Sequence, residues 1–146
     1  MIVRPGGLIV HERRLLLMRY VYGGKDRFNI PGGKPDPGEN LRQCLRRELV
    51  EELNLELNVG KLLFLVESEG GGREVLHPLF RVEEGASRPE PRLNRQQTSA
   101  LDVVWMAAPE LRRAALYPHI PELLAQWLEG VDPDDMYLGR ISQSWT

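Results

Sequence analysis

Arg47, Glu48, Glu51 and Glu52 crowd into one short stretch of the chain, and their spacing is the first sign of chemistry. A helix turns by about 100° per residue, so positions four apart lie nearly above one another. Leu41, Leu45, Leu49 and Leu53 form such a row, drifting by about 40° per step. Glu48 and Glu52 are also four apart, and on the same wheel they fall between Cys44 and Leu45, inside the apolar arc. Charged side chains ordinarily take the opposite face. Two carboxylates turned toward leucines suffer desolvation and mutual repulsion unless a cation neutralises them. Mg²⁺ fits that need, with Mn²⁺ as the alternative: hard cations take oxygen ligands, keep several waters and are shared with substrate phosphates. Glu51 lies on the flank of the same surface and can complete the cluster. Arg47 is placed to hold one carboxylate by a bidentate contact. The bland alternative is a solvated charge network on a helix surface. The wheel position and the glycine turn that precedes the helix both count against it.

That turn comes from Phe28-Asn29-Ile30-Pro31-Gly32-Gly33. Arg27 to Ile30 reads as a short strand stopped by Pro31. Gly32 and Gly33, without Cβ atoms, let a ligand or metal approach the backbone closely, and the Gly33 carbonyl is a candidate further ligand. Pro35, Pro37 and Gly38 keep the chain in a rigid loop until the helix begins near Glu39 or Asn40. Upstream, Leu8 to Val10 and Leu15 to Tyr20 read as a buried hairpin around His11 to Arg14. Downstream, Glu56 to Glu67 and Val75 to Val82 read as paired strands around a flexible turn, Ser68 to Arg73, and Pro78 suggests an edge or a bulge. Glu83 to Thr98 is a loop, Leu101 to Met106 a strand, and helices open at Pro109 and Pro121. Strands in antiparallel order with helices between and after them predict an α+β fold. The spacing places one domain over residues 1–130 and a loosely held C-terminal tail over 131–146.

With 146 residues, 42% of them hydrophobic, the chain has the length and composition of one soluble domain with a real core. The formal net charge of −2 lacks any basic run, so duplex nucleic acid is an unsuitable main partner. The single cysteine, Cys44, excludes an internal disulfide and suits a reducing compartment. Met1 to Pro5 does not resemble a signal peptide, and no apolar run approaches a membrane span. The expected location is the cytoplasm.

The stretch resembles the Nudix box: glycine, five residues, glutamate, seven residues, arginine-glutamate, an aliphatic, any residue, two glutamates, any residue, glycine, an aliphatic. Gly33, Glu39, Arg47, Glu48, Leu49, Glu51, Glu52 and Leu55 stand at the required spacings, which is eight of nine defined positions. The ninth is Asn54 in place of glycine. A helix end there calls for a left-handed residue, and asparagine is the next best choice. The resemblance implies an α/β/α sandwich around a mixed, largely antiparallel sheet. It also implies Mg²⁺-dependent hydrolysis of a nucleoside diphosphate linked to another group, with water attacking a phosphorus of the bridge. By position, Glu48, Glu51 and Glu52 bind metal with the Gly33 carbonyl, and Glu48 or Glu52 polarises the attacking water. Arg47 orients a carboxylate, while Gly32, Lys34 and Glu39 support the substrate loop. Many family members add an acid from the loop before the strand that ends in tryptophan, here Trp105. That loop carries Gln96, Gln97, Thr98 and Ser99, with Asp102 the acid near Trp105, and Glu83, Glu84 and Glu90 lie well upstream.

Other residues carry weaker signals. His11, His77 and His119 share no metal-ligand spacing and read as structural or surface groups. Cys44 reads as a small core residue, and Trp105, Trp127 and Trp145 as packing groups. Phe28, Tyr20 and Tyr22 flank the glycine turn and are candidates to stack a nucleobase. Arg73, Arg81, Arg92 and Arg95 are candidate phosphate contacts. The expected substrate is a small nucleotide, with ADP-ribose or a nucleotide sugar ahead of a (deoxy)nucleoside triphosphate. The competing reading is a non-catalytic Nudix-fold sensor, which would be expected to lose the glutamates that this chain keeps. A messenger-RNA cap hydrolase fits the net charge poorly. The family resemblance is compatible with a homodimer.

Overall fold

The computed structural model describes residues 1–83 and 89–143; Glu84 and Trp145, weighed above, lie outside the described residues. In chain order the elements are β1 (Ile2–Val3), β2 (Gly6–His11), β3 (Arg14–Tyr22), β4 (Lys25–Asn29), α1 (Leu41–Leu53), β5 (Asn58–Gly70), β6 (Arg73–Glu83), β7 (Asp102–Met106), α2 (Ala108–Arg113), β8 (Leu116–Tyr117), α3 (Pro121–Leu128) and β9 (Tyr137–Ser142). The strands form one mixed sheet in the order β8-β4-β3-β2-β6-β5-β9, with β1 beside β6 and β7 beside β3. Its long ladders, β5–β6, β3–β4 and β3–β7, are antiparallel, and shorter parallel pairings such as β2–β6 join them.

Alternation along the central strands divides the core between the two faces. Leu8, Leu15 and Leu17 turn to the side covered by α2 and α3, where Leu111, Leu124 and Ala125 meet them. Ile9, Leu16 and Met18 turn to the other side, where α1 contributes Leu45, Leu49 and Leu53. Helices thus cover both faces, as the α/β/α expectation requires. Each buried leucine of α1 contributes about 2 kcal/mol of apolar transfer free energy, so this face holds α1 against the sheet.

Local chemistry sets the boundaries. Asn40 caps α1 reciprocally: its Oδ1 accepts from the Gln43 N–H and its own N–H donates to Gln43 Oε1, both at 2.9 Å. Asn54 ends the helix in the left-handed region at φ 56°, donating its N–H to Val50 O at 3.1 Å. The next loop docks on that end. Arg92 N–H donates to Leu53 O and Asn94 N–H to Glu52 O, each at 2.9 Å, satisfying carbonyls that a helix terminus leaves open. Asn54 Nδ2 adds a bond to Arg92 O at 2.7 Å.

Three sequence expectations change. The Ser68–Arg73 turn shrinks to Gly71-Gly72, at φ 58° and 75°, because that pair has the left-handed turn geometry whose twist matches its strands. Pro78 lies inside β6, which is flanked by β5 on one side and by β1 and β2 on the other. Leu65, opposite Pro78, sends its N–H to Met136 O, so Pro78's missing donor points away from β5, to the gap between β1 and β2. Finally, the segment expected as a loose tail contributes β9, which pairs in parallel with β5 through Leu65↔Tyr137, Glu67↔Arg140, Ser68↔Ile141 and Glu69↔Ser142.

Candidate active site

Arg47 is the hub of the glutamate helix. Its Nε and Nη2 donate to Glu39 Oε2 and Oε1 at 2.7 and 2.9 Å, while Nη1 donates to Glu48 Oε1 and Glu51 Oε2, both at 3.0 Å. Nη2 also reaches the Lys34 carbonyl at 3.1 Å, and Asp36 stands 3.2 Å from Nε. One guanidinium therefore fixes the loop before α1 and two carboxylates on α1, using the forked geometry that lysine lacks. That pairing holds the Glu39 carboxyl down at about 2, helped by the Asp36 N–H.

Glu48 and Glu52 lie as the wheel requires, half-buried beside the core leucines of α1. Burial raises the Glu48 carboxyl even though Arg47 donates to it. Burial, followed by the neighbouring Glu48 charge, pushes Glu52 up to about 7. Glu51 shares Arg47 with Glu48 on the flank. Among the described residues, no three acidic, histidine or cysteine side chains are already gathered about one point in the manner of a closed metal cage. The donor set nonetheless suits a hard cation: all its ligand atoms are oxygens, and Glu48 and Glu52 carry an electrostatic load that a cation relieves.

The glycine turn packs against this cluster more tightly than expected from a ligand-approach role. A Cβ on Gly33 would stand 2.3 Å from Glu48 Cδ, and one on Gly32 would stand 2.1 Å from Pro5 O. The turn is glycine because the Glu48 side chain and β2's lead-in occupy that space. The Gly33 carbonyl accepts from Cys44 Sγ at 3.5 Å, and burial pushes the Cys44 thiol up to about 12, which keeps it a donor. One lone pair of that carbonyl is thereby engaged and the other is geometrically independent of it.

Glu48, Glu52, Gly32, Gly33 and Lys34 line a cleft of about 790 Å³. Its remaining walls come from Asn29, just ahead of the turn, and from residues distant in sequence, among them Arg4, Ser68, Arg73, Tyr117 and Gln143. Arg4 donates to Ile30 O and Gly32 O, both at 3.3 Å, and lies over the Tyr117 ring at 5.3 Å. Its charge favours the ionised forms of both Glu48 and Glu52. Beneath Ser68, the fully buried His77 meets Ser68 Oγ through Nε2 at 2.8 Å, and burial with the Arg4 charge lowers its pKa to about 3, so the ring is neutral. Of the stacking candidates, Tyr22 lines the cleft, Tyr20 stacks on Tyr22, and Phe28 packs against the core. Of the phosphate candidates, Arg73 lines it; Arg81 borders a separate groove with Trp127, and Arg95 donates to Ala100 O and Leu101 O. Among the described residues, neither the loop before β7 nor Glu83, Glu90 and Asp102 contribute to the cleft; Asp102 accepts from the Val103 N–H.

A sandwich that presents an arginine-clamped set of glutamates beside a glycine turn defines a class of hydrolases. The protein belongs to the Nudix family: the NUDIX domain model matches residues 3–127. The E. coli ORF135 protein is similar in structure, with a TM-score of 0.73 and 26% identity over 92% of this chain and 95% of that one. E. coli dihydroneopterin triphosphate pyrophosphohydrolase shares the fold at a TM-score of 0.69 and 16% identity, covering 88% of this chain and 96% of its own. An ADP-ribose pyrophosphatase from Streptococcus suis does so at 0.59 and 17%, covering 95% and 97%. Among the described residues, no helix is long and apolar enough to cross a membrane.

Proposed function

We propose that this protein is a cytoplasmic, Mg²⁺-dependent hydrolase that cleaves the diphosphate linkage of a small nucleoside diphosphate derivative, with ADP-ribose or a nucleotide sugar ahead of a (deoxy)nucleoside triphosphate. The observation that carries this reading is the pair Glu48 and Glu52, half-buried, mutually repelling, and facing a cleft that also presents Arg4, Lys34 and Arg73. Glu48, Glu51, Glu52 and the Gly33 carbonyl would hold the cation. When bound, it neutralises charge on the phosphoryl oxygens and lowers the pKa of a ligated water. The chain's own residues supply the rest. Glu48 or Glu52, the two carboxylates that face the cleft, would take a proton from the attacking water. Arg47 keeps Glu48 and Glu51 in place without sitting between them and the substrate. Arg4, Lys34 and Arg73 offset the negative charge of the phosphates.

The cleft volume of about 790 Å³ suits a mononucleotide with an attached group. Two fold relatives are named for ADP-ribose and for dihydroneopterin triphosphate, which supports a small phosphorylated substrate and leaves both kinds of leaving group in play. The single buried cysteine supports the reducing location. The deciding experiment is a panel of ADP-ribose, nucleotide sugars and nucleoside triphosphates, assayed with Mg²⁺, Mn²⁺ and chelator. Turnover that is highest on ADP-ribose or a nucleotide sugar and vanishes with chelator is expected. No product from any compound, with either metal, overturns the reading.

A further inference from the structure

The family match stops at residue 127, yet the cleft that holds Glu48 and Glu52 is also lined by Ser142 and Gln143. Those two residues belong to β9 and its last bond, and β9 is well fixed. Gln143 N–H donates to Glu69 O at 2.7 Å, its Nε2 donates to Leu116 O at 3.1 Å, and its Oε1 accepts from the His119 N–H at 2.8 Å. One carboxamide therefore ties the end of β9 to both sides of the short segment that carries Tyr117. The Tyr117 ring is in turn held between Arg4 at 5.3 Å and the His77 ring at 5.0 Å. Further along, Tyr137 Oη donates to Glu67 Oε2 at 3.1 Å, and Arg140 meets Glu67, Glu69 and Glu74 at 3.3–3.5 Å. Gly70 makes room for the crossing: a Cβ there would stand 1.7 Å from Gln143 O.

We propose that β9 is a specificity wall of the cleft, in which Ser142 contacts the nucleoside part of the substrate and Gln143 positions Tyr117 against it. This rests on the reading of Glu48 and Glu52 as the diphosphate end. If they take the phosphates, the group beyond them meets the wall that does not come from α1. That wall combines hydroxyls, an aromatic ring and an aliphatic side chain, Val75. Such a surface suits a planar heterocycle with a polar edge: the ring supplies a stacking face and the hydroxyls supply donors and acceptors. Because these contacts lie away from the reacting phosphorus, they act on substrate binding and on the choice of base rather than on the chemical step.

Three full-length variants test it. Gln143→Ala removes the tie, Gly70→Ala drives the strand outward, and Ser142→Trp fills the cleft from an exposed position that leaves the core untouched. Each is expected to raise KM for the best nucleotide about tenfold and to change the ranking among bases, with kcat kept within about threefold. Binding of AMP, GMP, CMP and UMP to the wild type gives a readout free of turnover: the Ser142 and Gln143 amide resonances are expected to shift. Unchanged KM and base ranking in Ser142→Trp, or Ser142 and Gln143 resonances that ignore all four nucleotides, overturns the wall. Those resonances shifting in a protein that hydrolyses nothing overturns the hydrolase reading and upholds the wall, so the two failures are distinct.

Discussion

Arg47 and Arg140 each gather three glutamates, and the two clusters behave differently. Arg47 is 24% exposed and holds Glu39, Glu48 and Glu51 at 2.7–3.0 Å; Arg140 is 38% exposed and meets Glu67, Glu69 and Glu74 at 3.3–3.5 Å. The first is a two-sided fork on a half-buried surface, where bonds are short and water competes poorly. The second is a looser surface network, screened by salt and worth little per pair. The same residue types therefore build a rigid reaction centre in one place and a modest fastening for a strand in the other. Burial and geometry make that difference, since each arginine holds three glutamates.

The strongest way to sharpen the contrast is to alter the carboxylate that Arg47 does not touch. Glu52→Gln is expected to lower kcat by on the order of 10²–10³-fold, with steady-state kinetics as the check. In chelator the same variant is expected to be more stable than wild type above pH 7 by about 1–2 kcal/mol, discounted for its partial exposure, since it removes a carboxylate whose ionisation folding disfavours. Denaturant titration at pH 8 measures it. Next in size, Arg47→Lys keeps the charge and loses the fork, and a loss of on the order of 10²-fold in kcat/KM is expected. Arg140→Lys is expected to stay within about threefold in kcat; equal losses in the two variants would dissolve the comparison.

A third test uses pH. Glu52 in the folded chain titrates near 7 against an ordinary 4.5, so its contribution is fully present below pH 4.5 and is lost as pH rises toward 7. His77 runs the other way: its folded pKa of about 3 lies below the ordinary 6.5, so stability is present above pH 6.5 and is lost as pH falls toward 3. Thermal melts in chelator from pH 4 to 8 should show both slopes. Glu52→Gln removes the first and divalent cation flattens it, while both leave the His77 slope in place. The smallest effect belongs to Arg140→Ala, where a slight stability loss at low salt should shrink in 0.5 M NaCl.

The comparison also explains what the sequence disclosed. Arg47's glutamate partners lie within eight residues of it, and for Glu48 and Glu51 the helix converts that spacing directly into a shared surface. Glu48 and Glu52 could be read from periodicity alone, and Gly33 from its place before the helix. Arg140's partners lie 66 and 71 residues away, among others, and no local rule connects them. The parallel seat of β9 depends on a register chosen by distant strands, so the segment read as a tail. Arg4 and Tyr117 escaped notice for the same reason: they reach the cleft through strand pairings, and each alone is an ordinary residue beside a proline. Pro78 misled because its significance depends on where β1 gives way to β2.

Asn54 has a consequence for anyone who would tidy this chain toward its family. Glycine at that position would remove the cost of a side chain at φ 56°, and by that measure alone it is a correction. It would also cut the bond from Asn54 Nδ2 to Arg92 O, one of the threads stitching the post-helix loop to the carbonyls of Glu52 and Leu53. Here the departure from consensus is a rivet, and a variant built by averaging relatives would take it out.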